Sequence, residues 1–375
     1  MDGDGAALQT LARRFEHFAA HDCTEDALYV ALCRLLAQRP EALAVLLAAE
    51  PAQRKPNLLL AALHARVLAG GASALAAYFA SVGGLRAPDE NLGGALNAAL
   101  RDEHDTLRQL VATRSTQTNE IGRCAVLWPA LAVLATWHRR SDIALLDFGC
   151  SAGLNLGVDR YGYDYGDLSL GSDSPAAPRI ACRCIGGASL PPRTAAPRLV
   201  QRLGIDPAPV DLDDEAQRAW LRACLWPGDR ERAARLSQAM TLARAERWPV
   251  RREADCTAAI GPWLDTLPAG VLPVVFSSFV LMYFERDARQ QQIAAMRSLV
   301  SERGIVWLSA EGPGLGLADH APPPSGIDGL ADAELANGAL WWAVQRDGDH
   351  CLARTHPHGR WLQWFGIGAA PTSPR

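Results

Sequence analysis

From Leu8 to about His138 apolar residues recur every three or four positions, and this spacing predicts a succession of helices. The stretches LQTLARRFEHFAAH, ALYVALCRLLAQ, ALAVLLAAE, LLLAALHARVLA and ALAAYFASV each carry an apolar stripe. Breaks fall at Pro40, Pro51, Pro56, Gly70-Gly71 and Gly83-Gly84, where helix punctuation places them. Asn91 to Arg114 extends the series as a longer, more polar helix. One more helix is expected to about His138, capped by Thr118 or Asn119, favoured in its first turn by Glu120 and kinked at Pro129. The pattern then changes: Ile143 to Phe148 is a continuous apolar run interrupted only by Asp147, followed by Gly149, Ser151 and Gly153 and a helix-compatible segment. That order reads as buried strand, glycine-bearing turn, helix.

Strands and helices alternate from there on. An insertion is expected at about 161–195, with Tyr161, Tyr163 and Tyr165 alternating so as to pack on one face. Arg198 to Asp213 offers a second strand in an apolar stretch ending at Gly204-Ile205-Asp206-Pro207, and Asp214 to Glu246 predicts helix broken at Pro227-Gly228. Trp248 to Asp255 predicts a third strand and Val271 to Phe279 a fourth, rich in β-branched and aromatic residues. A helix over Arg286 to Glu302 leads to a fifth strand, Gly304 to Ala310, which ends at Glu311. A proline-rich loop at Ala318 to Ser325 has the character of a lid, Asp347-Gly348 marks a hairpin, and a last strand follows His358-Gly359-Arg360-Trp361. The whole predicts an all-helical domain at 1–115 and an α/β domain at 116–375.

Composition narrows the partners. The 375 residues are 49% hydrophobic and 21% charged with a net charge of −4, which disfavours nucleic acid because phosphate binding needs a basic field. No apolar run reaches membrane-span length and the N-terminus lacks a signal-peptide pattern, so a cytoplasmic protein with no membrane partner is expected. Nine scattered cysteines point to free thiols, and the one close pair, Cys182 and Cys184, has no matching pair to complete a zinc site. No metal is expected.

The turn after the Asp147 strand is where chemistry is expected. Small residues let a ligand approach the backbone, and a helix start offers N–H groups. A carboxylate at that point repels phosphate and attracts an ammonium or ribose hydroxyls. The pattern Asp147-x-Gly149-x-Ser151-x-Gly153-x-Asn155 resembles the first motif of the class I methyltransferases, which bind S-adenosylmethionine (SAM) there. The resemblance implies SAM as cofactor and a Rossmann-like sheet with helices on both faces. An acid closing the second strand, Asp206 with Asp211 as runner-up, suits the ribose hydroxyls. Asp255 is the counterpart of the acid at the adenine edge, and Ser277, Ser278, Tyr283 and Glu311 fall toward the methyl group and its acceptor.

A helix descending about 28 Å and a strand climbing back about 20 Å return the helix start to the Gly149 turn. Gln117, Asn119, Glu120 and Arg123 are therefore expected to line the pocket, with Asn119 on the substrate side. At this level QTNEIGRC (117–124), CSAGLNLGVDRYGYDYG (150–166), WLRACLWP (220–227) and HGRWLQW (358–364) together resemble a bacterial family known as domain of unknown function 2332. That resemblance implies a methyltransferase-like fold with a helical N-terminal region and leaves the substrate unstated.

Methyl transfer from a sulfonium is an in-line displacement that positioning and water exclusion can accelerate. A base is needed only if the acceptor loses a proton, and Glu120 and Tyr283, then Glu311 and His358, are the candidates. A small-molecule acceptor fits the mildly acidic charge best. Two alternatives remain: a non-catalytic binding or regulatory protein on the same fold, and an α/β-hydrolase in which Gly149-Cys150-Ser151-Ala152-Gly153 is a nucleophile elbow, served by one of His320, His350, His356 or His358.

Overall fold

The computed structural model describes residues 2–192, 196–318 and 322–367. The chain forms two compact units, Met1–Thr118 with Asp213–Ser237 and Asn119–Leu212 with Gln238–Arg375. In the first unit the helical spacing becomes α1 (Asp2–His17), α2 (Ala27–Ala37), α3 (Pro40–Val45), α4 (Pro56–Leu68), α5 (Ser73–Ala76), α6 (Leu92–Asp102) and α7 (His104–Thr113). Proline opens α3 and α4, where its missing N–H costs no hydrogen bond, and the Asp26 carboxylate caps α2 by accepting from Tyr29 N at 2.9 Å. Apolar on nearly every side, α4 sends Leu58, Leu59, Leu60 and Leu63 into a core shared with Phe15, Leu32, Leu36, Leu43 and Phe79.

α8 (Cys124–Trp137) opens the second unit, but α9 (Glu215–Ala223) and the first part of α10 (Arg230–Glu246) return to the first. The expected boundary at 115/116 therefore needs correction: residues 213–237 belong with the helical unit, not with the α/β unit. Two anchors explain it. Trp220 is buried in the helical core, with its indole N–H donating to Ser115 O at 2.8 Å. His64 on α4 places Nδ1 3.1 Å and 3.0 Å from the carbonyl oxygens of Ala223 and Leu225 at the end of α9. Carbonyls only accept, so Nδ1 carries the proton and Nε2 accepts from the Ser81 hydroxyl at 2.7 Å.

The strands of the second unit are β1 (Asp142–Phe148), β2 (Gly162–Asp164), β3 (Ser169–Gly171), β4 (Arg179–Ala181), β5 (Arg183–Gly187) and β6 (Arg198–Asp206). They continue as β7 (Val250–Arg252), β8 (Leu272–Ser278), β9 (Val306–Glu311), β10 (Ala339–Gln345), β11 (Gly348–Thr355) and β12 (Trp361–Trp364). Among the described residues they make a nine-stranded sheet in the order β5-β12-β11-β10-β9-β8-β1-β6-β7 and a small sheet β3-β2-β4. β7, β6, β1, β8 and β9 run parallel, β10 to β12 follow as an antiparallel meander, and β5 pairs parallel with β12.

α11 (Cys256–Leu264) and α12 (Arg286–Arg303) cover one face, where Ile260, Trp263, Met296 and Val300 pack with Ala144, Leu146 and Phe148 of β1. The odd-numbered residues of β1, Asp147 included, point to the other face, against which α8 packs. The short α13 (Asp332–Ala336) precedes β10.

The insertion expected at 161–195 supplies the small sheet and then β5. Its tyrosines serve packing: Tyr161, Tyr163 and Tyr165 are buried, and their hydroxyls donate to Leu154 O, Val158 O and Ala125 O. The same bonds correct the helix expected after the turn. Leu154–Gly157 forms a single 3₁₀ turn, because Tyr161 and Tyr163 take carbonyls that a continuing helix would use, and Gly157 lies tight against Trp248. The loop with lid character falls partly outside the described residues, at 319–321 with His320, and so does the C-terminal end from residue 368. No helix among the described residues is long and apolar enough to cross a membrane.

Burial pushes the His64 pKa down from 6.5 to about 4, against the pull of the two carbonyls. Between those values the unfolded chain binds a proton that the folded chain refuses, so this contribution to stability falls as the pH drops through the window. Urea unfolding of the wild type and of His64→Gln is expected to show a gap of about 1–3 kcal/mol at pH 7 that narrows by pH 4.5. A gap constant with pH contradicts the assignment.

Candidate functional site

β1 and β8 are parallel neighbours whose onward connections diverge, to β6 and β7 on one side and to β9 on the other. An open α/β sheet offers a crevice at the carboxyl ends of such a pair. Asp147 stands near that end of β1, Ser278 at the end of β8 and Glu311 at the end of β9.

Three left-handed residues shape the turn after β1, with φ of 72° at Gly149, 53° at Ser151 and 67° at Gly153. A Cβ at Gly149 would meet Val280 Cγ2 at 2.7 Å, and one at Gly153 would meet Val250 Cγ2 at 2.5 Å. Every backbone N–H of the turn already has an internal acceptor. Gly149 N and Cys150 N donate to Ile205 O at 2.9 and 3.2 Å, and Gly153 N donates to Cys150 O at 2.8 Å. Ser151 N donates to Asp206 Oδ2 at 2.8 Å, and Ala152 N to Asn119 Oδ1 at 2.9 Å. Such a turn has no amide to offer a phosphate.

Asn119 completes a two-point clamp by donating from Nδ2 to Ser151 Oγ at 2.9 Å. The helix start thus does return to the turn, but Asn119, expected on the substrate side, holds the backbone instead. The clamp also bears on the nucleophile-elbow pattern. The N–H after the serine, which an oxyanion hole requires, is the one engaged by Asn119.

Asp147 is fully enclosed on the α8 face. Asn155 donates to one of its oxygens, while Oδ2 is buried without a hydrogen-bond partner. Burial raises its pKa to about 7, against the Asn155 hydrogen bond and with the Asp206 charge adding to the rise. Glu311 is similar. Its Oε1 accepts from Val280 N at 2.9 Å and Leu281 N at 3.1 Å, Oε2 is buried without a partner, and burial raises its pKa to about 7 against those two bonds. Ser278 Oγ is a third shielded atom without a partner. These three atoms stand at the ends of three adjacent strands.

Other expected residues are engaged elsewhere. Ser277, one position before Ser278, points to the opposite face, is 3% exposed and accepts from the Trp307 indole at 2.9 Å. Tyr283 is 62% exposed and is not enclosed with the acids. Asp255 lies three residues past the end of β7, is exposed and caps α11 by accepting from Ala258 N at 3.0 Å. Glu120 is buried but caps the turn leading into α8, its Oε1 accepting from Gly122 N at 2.8 Å. Asp206 is held by Ser151 N and, through Oδ1, by Ala208 N at 2.8 Å. A carboxylate has about four lone-pair sites, so it retains acceptor capacity toward a ligand.

Sequence reasoning placed Arg123 at the pocket but missed the segment that packs against it. Gly122 and Gly359 meet backbone to backbone: a Cβ at Gly122 would lie 2.2 Å from His358 O, and one at Gly359 2.1 Å from Gly122 O. The segments 117–124 and 358–364 therefore touch, and glycine at each contact is the signal that pointed to it. Between them Arg123 is 7% exposed, its Nε donating to Pro357 O at 3.0 Å and its guanidinium lying 4.2 Å from the centroid of the Phe279 ring. Phe279 itself has φ 54°, a strained value for an aromatic residue and one that keeps its ring at the site. Among the described residues no group of three or more His, Cys, Asp or Glu side chains is arranged to hold a metal ion.

Folded Asp147 keeps up to about pH 7 a proton that the unfolded chain releases near pH 4, so it costs stability as the pH rises through that window. Asp147→Asn is expected to be more stable than the wild type by about 2–4 kcal/mol at pH 8 and equal to it at pH 4 in urea unfolding. In the same assay at pH 7, Asn119→Ala is expected to lose about 1–3 kcal/mol and Tyr283→Ala less than about 0.5. Equal losses in these two would contradict the clamp.

No curated protein and no solved structure matches the chain. A family model described as "Uncharacterized protein conserved in bacteria (DUF2332)" matches residues 12–364. With the match running from α1 to the end of β12, the chain belongs to that bacterial family.

Proposed function

We propose that this protein is a SAM-dependent methyltransferase acting on a small-molecule acceptor, and that its α/β unit is a variant of the Rossmann-like class I methyltransferase sheet. The observation that carries the reading is the pairing of a closed turn with an unpartnered carboxylate oxygen. Asp147 Oδ2 wants a donor or a cation, and the adjoining turn has no amide free for an anion. A sulfonium nucleoside with an ammonium group answers both conditions, whereas a dinucleotide or nucleoside phosphate answers neither.

The residues divide by what they can hold. Asp147, oriented by Asn155, accepts the ammonium, and Asp206 accepts ribose hydroxyls while it tethers Ser151. Gly149 and Gly153 supply the left-handed bends of the turn, packed closely on Val280 and Val250, and with Ser151, fixed by the Asn119 clamp, they form the wall on which the nucleoside rests. Bound SAM supplies a methyl group on a positively charged sulfur. Ser278 and Glu311 lie on the acceptor side, and Glu311 Oε2 can take a proton from an acceptor that must lose one.

The reading predicts that SAM and its demethylated product S-adenosylhomocysteine each raise the melting temperature, by the equivalent of about 2.7 kcal/mol at a hundredfold excess over Kd. Because the cation favours ionised Asp147, affinity is expected to rise as the pH goes from 6 to 8. Gly153→Asp, which forces a side chain against Val250 at a left-handed backbone position, is expected to abolish the shift. Differential scanning fluorimetry checks all three. No shift with either nucleoside in the folded wild type leaves a ligand-free member of the fold and overturns the proposal.

A further inference from the structure

We propose that the acceptor at this site is an amine that arrives as an ammonium, and that Glu311 Oε2 both recognises its charge and takes up its proton. The inference rests on the cofactor reading above and deepens it by naming the acceptor's chemical class. Glu311 is the last residue of β9 and is 1% exposed. Two backbone N–H groups on the turn after β8, those of Val280 and Leu281, donate to its Oε1 at 2.9 and 3.1 Å. One oxygen so tethered fixes the carboxyl plane, and Oε2, buried without a hydrogen-bond partner, is the oxygen left for a ligand. Its surroundings are apolar. Leu340 of β10 is its partner across the strand pair, and Leu340 and Trp342 cluster with Leu317 and Phe365. A Cβ on Gly316 would stand 3.6 Å from the Glu311 Cβ.

The sheet supplies a ruler. Register puts Asp147 beside Phe276 and Phe276 beside Leu308, so Glu311 lies two strands across and three residues further along, about 10 Å in each direction. By strand alternation the two acids stand on opposite faces, so a ligand joining them passes over the end of β8, which stops at Ser278. That span accommodates an ammonium at Asp147, a short carbon chain, a sulfonium methyl and an acceptor atom in line with it. At the far end a desolvated carboxylate discriminates among nucleophiles. It repels a carboxylate or thiolate and is too weak a base for an aliphatic hydroxyl, whereas it attracts an ammonium and can take its proton. Burial raises the Glu311 pKa to about 7, closer to that of an amine, against the Leu281 and Val280 hydrogen bonds and the charges of Arg123 and Arg289. In the reaction a proton passes from the ammonium to Oε2 and the freed nitrogen lone pair attacks the methyl carbon. The C–N bond forms as the C–S bond breaks, with its electron pair going to sulfur. A methylated ammonium and a neutral thioether result, and the proton on Glu311 returns to solvent.

Calorimetric titration of the wild type saturated with S-adenosylhomocysteine tests this. The probes are two sets matched in skeleton and different in head group: 2-phenylethylamine, 2-phenylethanol and phenylacetate, and pentylamine, pentanol and pentanoate. In at least one set the amine is expected to bind tighter than its alcohol and its carboxylate by about tenfold or more. Repeated in buffers of different ionisation enthalpy, amine binding is expected to release about one proton at pH 6 and almost none at pH 8.5, because the ammonium favours ionised Glu311. Glu311→Gln keeps a carbonyl for the two amides and removes the charge. It is expected to bind S-adenosylhomocysteine within about threefold of the wild type and to lose the amine preference. No amine preference in the loaded wild type, or a preference without proton release at pH 6, overturns the inference and leaves the cofactor reading intact, whether or not the variant folds. A folded Glu311→Gln that keeps the preference overturns it as well. Absence of S-adenosylhomocysteine binding to the wild type overturns the cofactor reading and this inference with it.

Discussion

The amide of Asn119 is the contact on which the rest of the site depends. Its carbonyl and its NH₂ both bind the turn after β1, one at Ala152 N and the other at Ser151 Oγ, while Asp206 takes the N–H between them. A turn with left-handed residues at 149, 151 and 153 stores strain that its own glycines relieve only in part, since Ser151 has a Cβ. Side chains from two other elements hold it in place. The consequence is chemical as well as mechanical. Donors that would otherwise face a ligand are satisfied within the protein, and what the turn presents outward is acceptor capacity.

That electrostatic character extends along the carboxyl ends of the parallel strands. Asp147, Ser278 and Glu311 each keep a shielded oxygen without a partner, and desolvation holds both acids near neutral pKa. Apolar residues of similar size would make a more stable protein, which is the physical ground for the ligand proposed here. Arg123, a buried cation nearby, is held by an aromatic ring and a backbone carbonyl, and its place depends on two glycines almost 240 residues apart that touch through their backbones.

Much of this was legible in the order of residues. An apolar run with a single acid, followed by glycines, specified β1 and its turn, and simple lengths of helix and strand brought residue 119 back to that turn. Less legible was anything decided by register or by a distant partner. Ser277 and Ser278 are adjacent and look equivalent, yet strand alternation sends one to the Trp307 indole and leaves the other on the opposite face with its hydroxyl shielded and without a partner. Asp255 and Glu120 have the residue type and the approximate position of ligand-binding acids, but each lies where a helical turn needs a cap and is taken by it. The segment 213–237 reads as an amphipathic helix with no sign of which core it joins; the deciding partners, His64 and Ser115, lie more than a hundred residues upstream. Helix after the turn was expected from composition, and it stops after one turn because tyrosine hydroxyls later in the chain capture its carbonyls.

The most direct measurement of the central claim is a crystal structure of the protein grown with S-adenosylhomocysteine. The account predicts the nucleoside at the carboxyl ends of β1 and β8, with its ammonium within hydrogen-bond distance of Asp147 Oδ2 and the Asn119 clamp on the turn intact. A nucleoside bound elsewhere, or a turn whose amides have left Asn119 and Asp206 to meet an anion, would contradict it.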